Sequence, residues 1–258
     1  MKWFFALNQS SLMSARSLWE PMIVAALNSA RRTTSVEPHL LFDGGDDPFI
    51  EKLATMGVQI VRHRVSFYED LKSHYSPLSN YLQVASGAFL RVEIPLIEIY
   101  EKFVLYTDCD VLFERDLDLE GVKPKYFACG PEFQKTNFHD FNTGVMVMNL
   151  EALRRDLPNF ITFIRENLSR FETYDQDAYR IYYRQEVERL SLEYNWKPYW
   201  GRSDKARIIH FHGPKPTWAQ HLLEMPDDTT VPALHTIFHW NVDGYRHYLG
   251  KWQENTQM

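Results

Sequence analysis

Cysteine is nearly absent: Cys109 and Cys129 are the two in 258 residues. Two thiols cannot build the multi-bridge framework that holds small secreted domains, so the expected compartment is reducing and cytoplasmic. Long hydrophobic runs are missing as well. No apolar stretch approaches the ~18 to 20 residues of a membrane span, so no transmembrane segment is expected. The opening Met1-Lys2-Trp3-Phe4-Phe5-Ala6-Leu7 has one basic residue and a short apolar run. It is too short for a secretory leader and reads as a first strand. Basic charge is not in excess either. With 28 Lys and Arg against 34 Asp and Glu, the net charge is −6. That balance argues against a nucleic-acid binder and leaves room for a local basic pocket around phosphate. No internal repeat, low-complexity tract or linker interrupts the chain.

What remains is ordinary globular material, 45% hydrophobic and 24% charged. A chain of this length falls within the range of one α/β domain with a large core. Its apolar pattern alternates between the two regular periods. Residues 2–8 read as a strand and 11–31 as an amphipathic helix, with Arg31 and Arg32 suiting its carboxyl end. Pro38 to Phe42 reads as a strand closed by an Asp43-Gly44-Gly45 turn, Pro48 to Met56 as a helix and Val58 to Arg62 as a strand. Pro77 to Arg91 and Pro95 to Tyr100 read as helices. Further strands are expected near 126–129 and 144–149, with helices near 151–169 and 175–186. Strands alternating with helices predict an α/β fold with a doubly wound, mostly parallel central sheet flanked by helices. The tail from Pro232 holds Trp240, Tyr245, Tyr248 and Trp252. It reads as a terminal helix or arm on the body, with acceptor or peripheral membrane contact as the alternative.

The most informative stretch is Phe103-Val104-Leu105-Tyr106-Thr107 followed by Asp108-Cys109-Asp110. The apolar run reads as a buried strand. Carboxylates at i and i+2 on its end point the same way. Unpaired charge next to a core is costly, and a divalent cation bridged to phosphate oxygens compensates it. The alternative is a structural turn. Asp116-Leu117-Asp118 repeats the spacing in a polar stretch and reads as a solvated turn. The strand position is what distinguishes Asp108 and Asp110, because open α/β sheets place ligands at the carboxyl ends of their strands.

A second apolar strand, Ile208-Ile209, runs into His210-Phe211-His212-Gly213-Pro214-Lys215-Pro216-Thr217-Trp218. Gly lets backbone approach a ligand, Pro stiffens a loop and Lys is a compact charge for phosphate. His210 or His212 can complete a metal shell, or be a core or surface histidine before a tight turn. Asp175-Gln176-Asp177 opens a helix, where carboxylates stabilise in their own right.

Four features in this order resemble glycosyltransferase family 8, which includes glycogenin-like and bacterial galactosyltransferase-like enzymes. They are the strand with Asp108-Cys109-Asp110, then Phe141-Asn142-Thr143-Gly144-Val145-Met146-Val147-Met148-Asn149-Leu150, then Asp175-Gln176-Asp177, then the His210-to-Pro216 loop. The resemblance covers roughly residues 1–218. It implies a single GT-A domain, here over 1–231, with 232–258 as the aromatic arm. It also implies a metal held by Asp108, Asp110 and His210, with Mn²⁺ favoured over Mg²⁺ by the nitrogen ligand. Asp108 and Lys215 would hold the donor diphosphate, and Gly213 would let the loop approach it. Lys215 stands one residue nearer the Gly than in the family, and Thr217 separates Pro216 from Trp218. Ala6 and Asn8 match positions that contact the nucleotide. The family often has an acidic residue where Asn8 stands, and an amide donates as well as accepts. Asn8 also reads as a helix cap. Arg91 matches a donor-binding position and alternatively reads as a surface arginine whose charge reaches water. Asn142 and Thr143 would contact the donor sugar.

The implied reaction is metal-dependent transfer of a hexosyl group from a nucleoside-diphosphate sugar, uridine-linked, to a glycan, lipid-linked or protein hydroxyl. Anomeric configuration is retained. Asp175, Gln176 and Asp177 would stabilise positive charge developing on the sugar. The alternatives are a catalytically silent sugar-nucleotide or glycan binder, and metal-dependent nucleotidyl transfer.

Overall fold

The computed structural model describes residues 1–75 and 79–256. The first elements are β1 (Lys2–Asn8), α1 (Gln9–Ser14), α2 (Arg16–Thr33), β2 (Glu37–Asp43), α3 (Pro48–Thr55) and β3 (Gln59–Arg62). Next come α4 (Tyr68–Tyr75), α5 (Ser79–Ala88), α6 (Ile94–Ile97), β4 (Phe103–Thr107), β5 (Val111–Phe113), β6 (Phe127–Pro131) and β7 (Phe141–Asn149). The chain closes with α7 (Leu150–Asn167), α8 (Asp175–Tyr182), β8 (Val187–Arg189), β9 (Ile208–His210), α9 (Pro216–Glu224), α10 (Pro232–Trp240) and α11 (Val242–Thr256). None of the described helices is long and apolar enough to cross a membrane.

These elements fall into two compact units. The first comprises 1–16, 37–107 and 120–190, and the second 17–36, 108–119 and 191–258. The first unit holds a seven-stranded sheet of order β3-β2-β1-β4-β7-β6-β8. β1 pairs in parallel with β2 and β4, β2 with β3, and β6 with β8, while β7 runs antiparallel to β4 and β6. The expected mostly parallel α/β sheet is therefore present, with the antiparallel pairs confined to β7. Every residue of β7 is buried, as an apolar central strand covered on both faces should be. The core of this unit gathers Phe4, Leu41, Phe89, Val104, Met146, Phe160 and Tyr179.

The second unit contains the two-stranded antiparallel sheet β5-β9. Its core joins Ala25 of α2, Leu112 of β5, Ile209 of β9 and Tyr248, Leu249 and Trp252 of α11. The aromatic tail thus forms two helices, with Tyr245, Tyr248 and Trp252 buried and Trp240 50% exposed.

Three local readings change. The single helix expected over 11–31 is two, because Ala15 leaves helical geometry at φ −146°, ψ 47°. No Gly or Pro marks that break. The helix expected over Pro95 to Tyr100 is the single turn α6. The Glu98 carboxylate accepts from the amides of Tyr100 and Glu101 at 2.8 and 3.0 Å and turns the chain away. The helix expected from Pro77 to Arg91 is α5 followed by a 3₁₀ turn over Phe89–Glu93, and Pro77 and Leu78 lie outside the described residues. Helix α4, absent from the sequence reading, carries Glu69 and Asp70 in its first turn, where acids suit the helix dipole.

Candidate functional site

Strand pairing assembles the first cluster within the second unit. β5 and β9 are in register with Val111 opposite His210. Asp108 and Asp110 immediately precede β5, so the pairing carries their carboxylates to the imidazole. The Phe211 amide donates to the Asp110 carbonyl at 2.9 Å and closes the strand end. His210 Nε2 lies 3.8 Å from Asp108 Oδ2 and 3.5 Å from Asp110 Oδ1. One ligand atom from each of the three residues lies within 4.8 Å of the others.

The chemistry of this donor set fits a divalent cation. His210 Nδ1 donates to the buried Asn195 Oδ1 at 3.0 Å. That bond turns Nε2 toward two carboxylates, the orientation a metal-ligating histidine needs. Asp110 and His210 are buried and Asp108 is partly open. Lys215 Nζ pairs with Asp110 Oδ2 and reaches the Phe211 carbonyl at 3.4 Å. Burial pushes the Asp110 carboxyl up, but Lys215 and His210 outweigh it and hold the group well below the ordinary range. Burial likewise opposes charge on Lys215, and Asp110 outweighs it and raises the ammonium above its usual value. Lys215 therefore sits on a metal-candidate carboxylate. Gly213 takes φ +85°, and a Cβ there would lie 3.1 Å from Ile237 Cγ2, so this turn requires glycine. His212 is not in the three-residue cluster; its Nδ1 lies 3.1 Å from the Tyr199 hydroxyl.

A second constellation lies in the first unit, around the start of α8. Arg91 is 6% exposed, which excludes the surface reading. Its Nε faces Asp175 Oδ2 at 3.0 Å, its Nη1 donates to the Thr143 carbonyl at 2.7 Å, and its guanidinium lies 4.4 Å from the Tyr106 ring centroid. Gln176 Oε1 accepts from Asn142 Nδ2 and from the Thr143 amide, both at 3.0 Å. Gln176 Nε2 donates to Glu132 Oε1 at 3.1 Å, and Arg180 clamps the other Glu132 oxygen. Asp175, Gln176, Asn142, Thr143 and Arg91 are thus one network. Asp177 is not part of it: its Oδ2 accepts from the Glu172 and Thr173 amides, both at 2.7 Å, and closes the turn before the helix. Tyr174 enters that turn at φ 52°, ψ −118°, the sole non-glycine with positive φ among the described residues. Such a conformation costs on the order of 1–3 kcal/mol and persists where surrounding contacts enforce it.

A third feature of the first unit is a cavity of about 340 Å³ at the carboxyl ends of β1 and β2, lined by Asn8, Ser10, Asp43, Gly44, Arg64 and Tyr68 among others. Asn8 lines it and caps α1, accepting from the Ser11 amide at 2.7 Å. Its Nδ2 donates to the Gln83 carbonyl at 2.5 Å and to Ser86 Oγ at 2.8 Å. Both amide hydrogens are committed within the chain. Ala6 is half-buried on β1, in register with Leu41. Arg64 stacks 4.5 Å from the Tyr68 ring centroid, with Nε 3.0 Å from Asp43.

Sequence reasoning missed Glu132, Arg180, Arg64 and Asn195. Glu132 carried the signal that singled out Asp108, a carboxylate directly after an apolar strand. The others are defined by contacts remote in sequence.

The model of glycosyl transferase family 8 matches residues 122–221. No curated protein matches the chain by sequence. Among solved structures, LgtC, a galactosyltransferase crystallised with donor and acceptor sugar analogues, superposes with a TM-score of 0.64 at 15% identity. That match covers 99% of this chain and 100% of LgtC. GlyE of Streptococcus pneumoniae TIGR4 gives 0.62 at 16% identity over 98% of this chain, which spans 64% of GlyE's length. Mouse xyloside xylosyltransferase 1 gives 0.58 at 15% identity, covering 81% of this chain and 96% of that one. At these identities the superpositions speak to fold, and the family match covers the segment that holds β6, β7, α8 and β9. Residues 122–221 thus match glycosyl transferase family 8, and the chain as a whole has the fold of these glycosyltransferases.

Proposed function

We propose that this chain is a metal-dependent, retaining glycosyltransferase. It moves a hexosyl group from a nucleoside-diphosphate sugar, uridine-linked, to an acceptor hydroxyl. The observation that carries the reading is the convergence of Asp108, Asp110 and His210 with imidazole Nε2 turned toward the carboxylates. Two carboxylates and one imidazole favour Mn²⁺ over Mg²⁺. Bound there, the cation would stabilise negative charge on the departing diphosphate as a Lewis acid.

The chain's own residues supply the rest. Lys215 would exchange Asp110 for phosphate oxygens when cation and donor enter, and Gly213 would let the loop backbone come close. In the first unit the cavity beside Ala6 and Asn8 would take the nucleoside, and Asn142 would bond donor-sugar hydroxyls. Gln176 would present its carbonyl oxygen to positive charge developing on the sugar, which stabilises the transition state more than the ground state. Arg91, Thr143 and Asp175 hold that turn, and Asp177 ties its backbone. The two cysteines are buried and form no disulfide, in keeping with a reducing compartment such as the cytoplasm.

Titration calorimetry tests this reading. Wild-type protein should bind a uridine-diphosphate sugar in Mn²⁺ and lose that binding in chelator. Asp110→Ala should lose it while remaining folded by circular dichroism. Unchanged donor affinity in Asp110→Ala, or in chelator, would refute metal-dependent donor binding.

A further inference from the structure

We propose that Glu132 is a positioning residue that decides which end of the Gln176 amide faces the reacting sugar. The inference rests on the role given to Gln176 above. An amide side chain has two ends of similar shape and opposite polarity. Its carbonyl oxygen accepts and carries partial negative charge, while its NH₂ donates and carries partial positive charge. Only the oxygen end helps a centre that becomes positive.

Two contacts of unambiguous polarity fix the orientation. The Thr143 backbone amide can only donate, and it lies 3.0 Å from Gln176 Oε1. The Glu132 carboxylate oxygen Oε1, held by the pairing of Oε2 with the Arg180 guanidinium, accepts from Nε2 at 3.1 Å. Glu132 is itself held. It is 8% exposed, its backbone amide donates to the Asp140 carbonyl at 2.8 Å across the β6–β7 turn, and its second oxygen is clamped by Arg180. Arg180 is anchored in turn by Asp140 Oδ1 at 2.7 Å and, through Nε, by the Phe141 carbonyl at 2.8 Å. The third partner of Gln176, Asn142 Nδ2, is the residue expected to bond a sugar hydroxyl. When it does so, one lone pair of Gln176 Oε1 is released toward the sugar, and Glu132 is what still prevents the amide from turning over.

Glu132→Gln is the sharp test because it keeps shape and reverses polarity on one side. The Arg180 guanidinium is the stronger donor and claims the new carbonyl oxygen. The new NH₂ then faces the Gln176 NH₂, and one amide must turn. Turnover is read as nucleoside-diphosphate release per folded molecule, and donor affinity by calorimetry. Glu132→Gln should reduce turnover on the order of 10- to 100-fold, the scale of a misplaced catalytic group. Donor affinity should stay within about twofold, since the lost interaction belongs to the transition state. Placed on Gln176→Ala, the same substitution should cause no further loss, because no amide is left to orient. Glu132→Ala, which leaves Arg180 on Asp140, should repeat the pattern and covers the case in which Glu132→Gln folds poorly. If Gln176→Ala turns over normally, the role of Gln176 fails and this inference falls with it. If Gln176→Ala is impaired but Glu132→Gln turns over normally, or costs the same factor in both backgrounds, Glu132 does not act through Gln176.

Discussion

Arg91→Met should cost far more stability than a surface substitution, and the structure sets the scale. Arg91 and Asp175 form a buried pair, 6% and 3% exposed, at 3.0 Å. Removing the guanidinium takes the ion-pair partner from the buried Asp175 carboxylate, which also contacts Thr143 Oγ1 at 3.5 Å. Breaking a buried pair from one side costs about 3–5 kcal/mol. The lost contact over the Tyr106 ring belongs to the same group and does not add independently. At roughly 2–4 °C per kcal/mol for a chain near this size, a loss of about 4 kcal/mol lowers the melting temperature by about 8–16 °C. Differential scanning calorimetry reads this directly. The companion variant Arg91→Met/Asp175→Leu removes both charges, and replacing a whole buried pair by apolar groups is often neutral or stabilising. It should therefore melt above the single variant while binding donor no better. A loss below about 1 kcal/mol for Arg91→Met, or a double variant less stable than the single, would refute the argument that breaking the buried pair from one side is what hurts.

Lys215→Ala should weaken nucleoside-diphosphate binding by about 1.5–3 kcal/mol, the range for a hydrogen bond to a charged group, and leave free nucleoside binding unchanged. It should not weaken Mn²⁺ alone, since Lys215 occupies an oxygen of Asp110; calorimetry with nucleoside, diphosphate and metal separately checks both statements. Glu93 is fully buried and accepts from Ser66 Oγ at 2.5 Å, with His63 Nε2 at 2.6 Å. Burial raises its carboxyl, yet His63 and Ser66 outweigh burial and hold it below its usual value of 4.5. A depressed folded value gives stability that is full above 4.5 and lost as pH falls through the folded value. The advantage of wild type over Glu93→Gln in urea melts should therefore be constant near neutrality and shrink in acid, and an advantage that grows in acid would contradict it.

The parts of the site that declared themselves in the sequence were those carried by a single strand end. Phe103 to Thr107 is apolar enough to announce a buried strand, so the carboxylates behind it were conspicuous. The family resemblance implied His210 as the third member, but the strand pairing that brings it to the carboxylates was not legible. β5 has three residues and β9 three, too short for any periodicity to emerge, and the register of Val111 with His210 is a tertiary fact. The Ala15 break was hidden for a related reason, since the residue itself favours helix and the neighbouring Arg16 is drawn to Asp47 at 2.5 Å. Asn8 could be read as a cap or a ligand from its type alone, and the structure shows the cap, with its amide hydrogens committed to Gln83 and Ser86. Glu132 was visible as a charge after an apolar strand but had no meaning until Arg180 and Gln176, more than forty residues later, closed on it.

The central claim is transfer of a sugar from a nucleotide donor with retention. It is tested most directly by following an anomerically pure uridine-diphosphate hexose by proton NMR in Mn²⁺, with wild-type protein and a panel of acceptor hydroxyls. Release of uridine diphosphate and a new glycosidic bond with the donor's anomeric configuration are expected, both abolished in Asp110→Ala. Release of pyrophosphate would show nucleotidyl transfer, and a product of inverted configuration, or donor binding without turnover across the panel, would contradict the account.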